Sequence, residues 1–141
     1  MNIQMKKITI GFLLAISANT ELNAQTLSPF KDGDKIAFVG NSITEAGYYG
    51  SNIWLYYMTR FPKQRITVYN AGIGGDVVGQ MNDRFDTDVL PKKPNYVVLT
   101  FGMNDTGYME YNQAGADEFA KKKVQKSYDD FLLLEAKLKA Q

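Results

Sequence analysis

The apolar residues fall into three short runs, separated by stretches in which they recur at helical spacing, and each run ends in small or polar residues. Ile36 to Gly40, β-branched and aromatic and bounded by turn signals, reads as the first strand. Gly40 lets the backbone leave it sharply into Asn41-Ser42-Ile43-Thr44-Glu45, the start of a helix. A flexible aromatic loop is expected at Ala46 to Gly50. From Asn52 to Phe61 the spacing is helical, Pro62 stops the helix, and Trp54, Tyr57 and Phe61 are expected in the core. The second strand, Arg65 to Asn70, runs into Ala71-Gly72-Ile73-Gly74-Gly75-Asp76. Val78, Met81, Phe85 and Val89 predict a helix over about 77–89, with Asp83, Arg84, Asp86 and Asp88 on its solvated face. Leu90 to Pro94 breaks it. Asn95 to Phe101 is apolar at nearly every position, which suits a parallel strand buried on both faces, and it ends in Gly102-Met103-Asn104-Asp105. Residues 118–141 form one last helical pattern. Strands alternating with helices predict an α/β fold with a parallel sheet.

In right-handed β-α-β units the carboxyl ends of the strands lie along one edge, which is where open α/β sheets place their ligands. Ser42, Gly75 and Asn104 are therefore expected in one crevice. A hydroxyl to attack, with a glycine N–H and a carboxamide N–H to hold a developing oxyanion, fits acyl transfer. Ser42-x-x-Glu45 also fits a capping box, in which the serine would only satisfy N–H groups of its helix. The glycine loop is expected to offer free N–H groups at a helix start. It is no dinucleotide fingerprint, because after Gly72 and Gly74 the third glycine position is Val77. That speaks against a nucleotide-binding module. Asp32-Gly33-Asp34 reads as a turn rather than a metal pair, since hard cations want six or more oxygens.

Composition narrows the class. The chain has 141 residues with 45% hydrophobic and 22% charged side chains, which is one ordinary globular domain. Lys6 and Lys7 precede the apolar stretch Ile8 to Ala18, and a polar segment ends at Ala24, the layout of a secretory signal peptide over residues 1–24. The apolar run is too short for a membrane span, which needs about 20 residues. Removing residues 1–24 leaves a neutral domain, so neither nucleic acid nor an anionic membrane surface is an expected partner. The chain has no cysteine, so no disulfide and no lipid anchor on cysteine is expected after export to a periplasm or the medium.

At these same positions the chain resembles the SGNH hydrolase superfamily, the GDSL-type lipases and esterases. Gly40-Asn41-Ser42 matches the first block, with asparagine for the usual aspartate; Asn70 to Asp76 matches the second, with Gly75 at the oxyanion position; Gly102-Met103-Asn104-Asp105 matches the third. The resemblance covers residues 34 to 141. It implies a three-layer α/β/α fold of flavodoxin-like strand order and ester hydrolysis through Ser42, with the Ser42 N–H, the Gly75 N–H and the Asn104 side chain as oxyanion donors. It implies no metal or organic cofactor. By analogy with exported members, an O-acetyl or other acyl ester on a carbohydrate is the expected substrate, and Tyr48, Tyr49, Tyr108 and Tyr111 are candidates for stacking on sugar rings or for loop packing.

One departure is severe. The family uses a histidine late in the domain, three residues after an aspartate, and this chain has none. Lys121, Lys122 and Lys123 read as a solvated face rather than a substitute base. The expectation is that residues 25–141 are the N-terminal part of a longer esterase, cut after the third strand and its helix, with little turnover alone. The alternative is a non-catalytic binding domain that keeps the crevice.

Overall fold

The computed structural model describes residues 29–141. In chain order it contains β1 (Lys35–Gly40), α1 (Ser42–Glu45), α2 (Tyr48–Arg60), β2 (Thr67–Gly72), α3 (Val78–Asp88), β3 (Tyr96–Thr100) and α4 (Ala116–Lys139), with 3-10 turns at Leu90–Lys92 and Tyr108–Glu110. The signal peptide expected over residues 1–24 lies outside the described residues.

β1 is the centre of a parallel sheet of order β2-β1-β3. Lys35 to Gly40 pair with Thr67 to Gly72 on one side, and Ile36 to Gly40 pair with Tyr96 to Thr100 on the other. Successive side chains of a strand point to opposite faces, and β1 uses both. Ile36 and Phe38 pack with Ile66 under Tyr49, Ile53 and Tyr57 of α2. Ala37 and Val39 pack on the opposite face with Val78, Met81 and Phe85 of α3 and Leu134 of α4. Helices therefore cover both faces, giving the three-layer arrangement, and the strand order is the one the family resemblance implied.

Several boundaries and burials differ from the sequence reading. Tyr48, Tyr49 and Gly50 form the first turn of α2 rather than a loop, because Gly47 takes φ +78° and turns the chain straight from α1 into α2. β2 begins and ends two residues later than expected; Arg65 is instead held in the preceding turn, where its N–H donates to Asp32 Oδ1 at 2.7 Å. Trp54 and Phe61 are 43% and 36% exposed, since the buried stripe of α2 is Tyr49, Ile53 and Tyr57. β3 is only half-buried, being an outer strand of the sheet among the described residues. The Asp32-Gly33 turn is as expected, with Gly33 at φ +85° and Asp34 Oδ2 accepting from Lys31 N–H at 2.7 Å.

Candidate functional site

The bend after β1 is built by close approach. A side chain at Gly40 would collide with the hydroxyls of Thr44 and Thr100, and one at Gly72 would collide with the backbone at Thr44 and Glu45. α1 thus sits directly on the ends of all three strands. Thr44 is buried beneath it and shares hydrogen bonds with Thr100 Oγ1 at 2.6 Å and the Tyr49 hydroxyl at 2.8 Å. This network fixes the platform from which Ser42 projects.

The helix cap is Asn41, not Ser42. Buried Asn41 accepts from the Ile43 N–H through Oδ1 at 3.1 Å, which removes the capping role that Ser42-x-x-Glu45 suggested. Ser42 is the first residue of α1, exposed, and its hydroxyl has no hydrogen-bond partner among the described residues. Its position is beside the glycine loop: Ser42 Cβ lies 3.9 Å from where a Cβ would stand on Gly74.

In that loop, Gly75 adopts φ +86° with open space around it, and its N–H has no partner among the described residues. The N-terminus of α3 is not free, contrary to expectation: the Val77 N–H donates to Gln80 Oε1 at 3.1 Å and the Val78 N–H to Asp105 Oδ1 at 2.9 Å. The open donors are in the loop itself. Asn104 donates one carboxamide hydrogen to the Asp76 carbonyl at 2.9 Å. That bond leaves a second N–H and sets the orientation of the group. Gly75 and Asn104 line one cleft of about 240 Å³.

Asp76 and Arg84 are the pair that the sequence reading missed. Arg84, expected on the solvated face of α3, has a side chain only 14% exposed; its Nε donates to Asp76 Oδ2 at 2.8 Å and a terminal N–H donates to the Ala71 carbonyl at 2.7 Å. One guanidinium fork so clamps both sides of the glycine loop, as its planar donor set allows. The charge run around it resembled a solvated face, and only the loop eight residues upstream revealed its partner. Arg84→Met is expected to lose about 2 kcal/mol of stability, because it leaves the Asp76 carboxylate and the Ala71 carbonyl without this donor, and hydrogen exchange at Gly74, Gly75 and Asp76 should accelerate more than in β1.

Asp105 is a second hub. Buried, it accepts from the Gly102 N–H at 2.8 Å, the Val78 N–H at 2.9 Å and Ser127 Oγ at 3.0 Å, tying the β3 loop to α3 and α4. Of the tyrosines suggested for sugar contact, Tyr108 lines the cleft with Gly75 and Asn104. Tyr49 is tied to Thr44, Tyr48 stands 78% exposed, and Tyr111 lines a separate depression beside α4. Lys123, read as part of a solvated face, lies on the wall of the Gly75 and Asn104 cleft. Among the described residues no helix is long and apolar enough to cross a membrane.

Comparisons with known proteins give the family and the fold. Residues 38–136 match the GDSL-like lipase/acylhydrolase family. A gut microbial diltiazem-metabolizing enzyme of solved structure is 52% identical, with a TM-score of 0.79 over 82% of this chain and 26% of that one. An acetylxylan esterase of Geobacillus stearothermophilus is 31% identical over 88 residues, 52% of this chain and 40% of the esterase. Structures of catalytic mutants of an acetylxylan esterase from that organism, one lacking an aspartate and one lacking a histidine, are 26% identical, cover 78% of this chain and 57% of theirs, and give TM-scores of 0.63 and 0.62. An uncharacterized lipoprotein of Bacillus subtilis is 36% identical over 56 residues, 40% of this chain and 23% of the lipoprotein. The chain therefore spans less than half the length of these two curated relatives.

Proposed function

Since the chain belongs to the GDSL-like lipase/acylhydrolase family, we propose that it carries the nucleophile and oxyanion donors of an exported serine esterase acting on O-acetyl esters of carbohydrates. The observation that carries this reading is the Ser42 hydroxyl, without a hydrogen-bond partner among the described residues, next to Gly74 of the loop whose Gly75 N–H is likewise unpartnered among them. Ser42 Oγ attacks the ester carbonyl carbon. The carbonyl oxygen becomes an oxyanion that accepts from the Ser42 N–H, the Gly75 N–H and the Asn104 carboxamide. Collapse releases the sugar hydroxyl and leaves an acetyl group on Ser42, which water then removes as acetate. Each well-aimed donor is worth roughly 2.7 to 4 kcal/mol of barrier. The acetylxylan esterase relative supports the substrate class. The N-terminal apolar stretch and the likeness to a lipoprotein support export.

Proton transfer is the gap in this machinery. The Ser42 proton must leave during attack and the sugar oxygen must gain one during collapse, work that a histidine performs in serine hydrolases. The 141 residues hold no histidine. Loss of the base in a serine hydrolase costs on the order of 10⁶ in kcat, so acetate release from a monoacetylated xyloside by this chain is expected to stay near background. Clear turnover that Ser42→Ala abolishes would show that another group serves as base; turnover that survives Ser42→Ala would remove Ser42 from the mechanism. The same missing histidine favours, as a second reading, a domain that binds such esters without cleaving them.

A further inference from the structure

The cleft that contains Gly75 and Asn104 also holds two charged side chains that the reaction above does not use. Glu110 belongs to the 3-10 turn after β3 and Lys123 to the second turn of α4. Their relative placement is built in, because Phe119 of α4 packs against Gly107: a Cβ on that glycine would stand 2.8 Å from the Phe119 ring and 3.1 Å from Glu110 Oε2. Lys123 Nζ then lies 5.2 Å from the centroid of the same ring.

Apart from the Phe119 ring under Lys123, neither charge has a counter-charge among the described residues. Glu110 Oε2 is shielded from solvent and has no hydrogen-bond partner among the described residues. Lys123 meets no carboxylate among the described residues, whereas its neighbours are engaged: Lys122 with Glu118 at 3.0 Å and Lys126 with Asp130 at 2.6 Å. The Asp130 hydrogen bond holds the Lys126 ammonium above its ordinary pKa, so that lysine is committed to its partner. Glu110 and Lys123 do not neutralise each other, since no ion pair joins them.

An acceptor and a donor of opposite charge, held apart in one small cleft, match a ligand that offers hydroxyls to both. An anion would meet repulsion from Glu110 and a cation from Lys123. Tyr108 adds an aromatic surface on the same wall, and the volume of about 240 Å³ suits a single ring more than an extended chain. We propose that Glu110 and Lys123 form the subsite for the sugar ring bearing the ester, Glu110 accepting from one free hydroxyl through Oε1, the oxygen that is not shielded from solvent, and the ammonium donating to another. This rests on the esterase reading above and adds to it what selects the alcohol: a polyhydroxylated ring rather than any acetylated alcohol.

The test is calorimetric binding to the 141-residue chain carrying Ser42→Ala, which prevents turnover, with a monoacetylated methyl xyloside and with cyclohexyl acetate as ligands. The xyloside ester should bind more tightly. Lys123→Met and Glu110→Gln should each weaken it by roughly ten- to a hundredfold, the worth of one hydrogen bond to a charged group, while cyclohexyl acetate is unaffected. Lys123→Arg, which keeps the charge and the Phe119 contact, should retain the affinity and guards against a loss that is merely structural. Unchanged xyloside affinity in both variants, or equal weakening of both esters, would overturn the subsite and leave the esterase reading standing. Failure of the parent chain to bind either ester would overturn both.

Discussion

Asp105→Ala is expected to lower folding stability by about 4 kcal/mol, a drop of roughly 15 °C in the thermal midpoint. The carboxylate accepts three hydrogen bonds, from the Gly102 N–H, the Val78 N–H and Ser127 Oγ, and is 4% exposed. Bonds to a charged acceptor are each worth about 1.5 to 3 kcal/mol, and alanine leaves the donors facing a buried gap. The loss is a large share of the roughly 5 to 15 kcal/mol that holds a domain together. Asp105→Asn, which keeps one acceptor oxygen, should lose about half as much. Thermal unfolding followed by circular dichroism measures both, and equal midpoints for Asp105→Ala and the parent would contradict the role given to this hub. Asn104 follows from it: the residue next to the hub can aim its carboxamide only if the loop holds.

Gly72→Ala has the next largest expected effect, and it acts on the helix that carries the proposed nucleophile, Ser42. A Cβ there would overlap the Glu45 nitrogen and stand 2.6 Å from the Thr44 carbonyl carbon and 2.7 Å from Glu45 Cα. All are backbone atoms of α1, so no side-chain rotation relieves the contact. Either α1 lifts from the sheet, taking Ser42 with it, or β2 separates from β1. Overpacking of a tight site costs about 1 to 3 kcal/mol, and more where only backbone can yield; about 3 kcal/mol is expected here. Gly115 provides the contrast, with φ +83° and nothing near its open side. Alanine there meets only the left-handed penalty of about 1 to 2 kcal/mol. Chemical denaturation of the two variants should rank them in that order, and a harmless Gly72→Ala would contradict the close approach of α1 to β2.

What the sequence disclosed follows from how each feature is encoded. The strands and helices around β1 were legible because burial marks them locally, as an unbroken apolar run between turn signals for Ile36 to Val39 and as a spacing of three to four for Val78, Met81, Phe85 and Val89. That Ser42, Gly75 and Asn104 follow strand ends was legible because parallel topology sends every strand end to one edge; Gly75 and Asn104 line one cleft, and Ser42 stands beside Gly74 rather than on that cleft's wall. The extent of α2 was not, since Tyr48 and Tyr49 carry no helical signature until Gly47 turns the chain. Arg84 was hidden among aspartates, and its partner Asp76 belongs to the preceding loop, so a local charge pattern pointed to solvent. Lys123 was hidden in the same way by the run Lys121 to Lys123. Its place on the cleft wall depends on Phe119 packing against Gly107, a tertiary contact that no short window of sequence contains.

We propose Ser42 as a positioned nucleophile for which these residues hold no histidine to act as base. The most direct measurement is acetate release from a monoacetylated xyloside by the 141-residue chain over a series of imidazole concentrations, since imidazole can serve as a free general base at an exposed serine. Release that is negligible without imidazole, rises and saturates with it, and is lost in Ser42→Ala is the predicted result. Release that never exceeds that of Ser42→Ala at any imidazole concentration would contradict the claim.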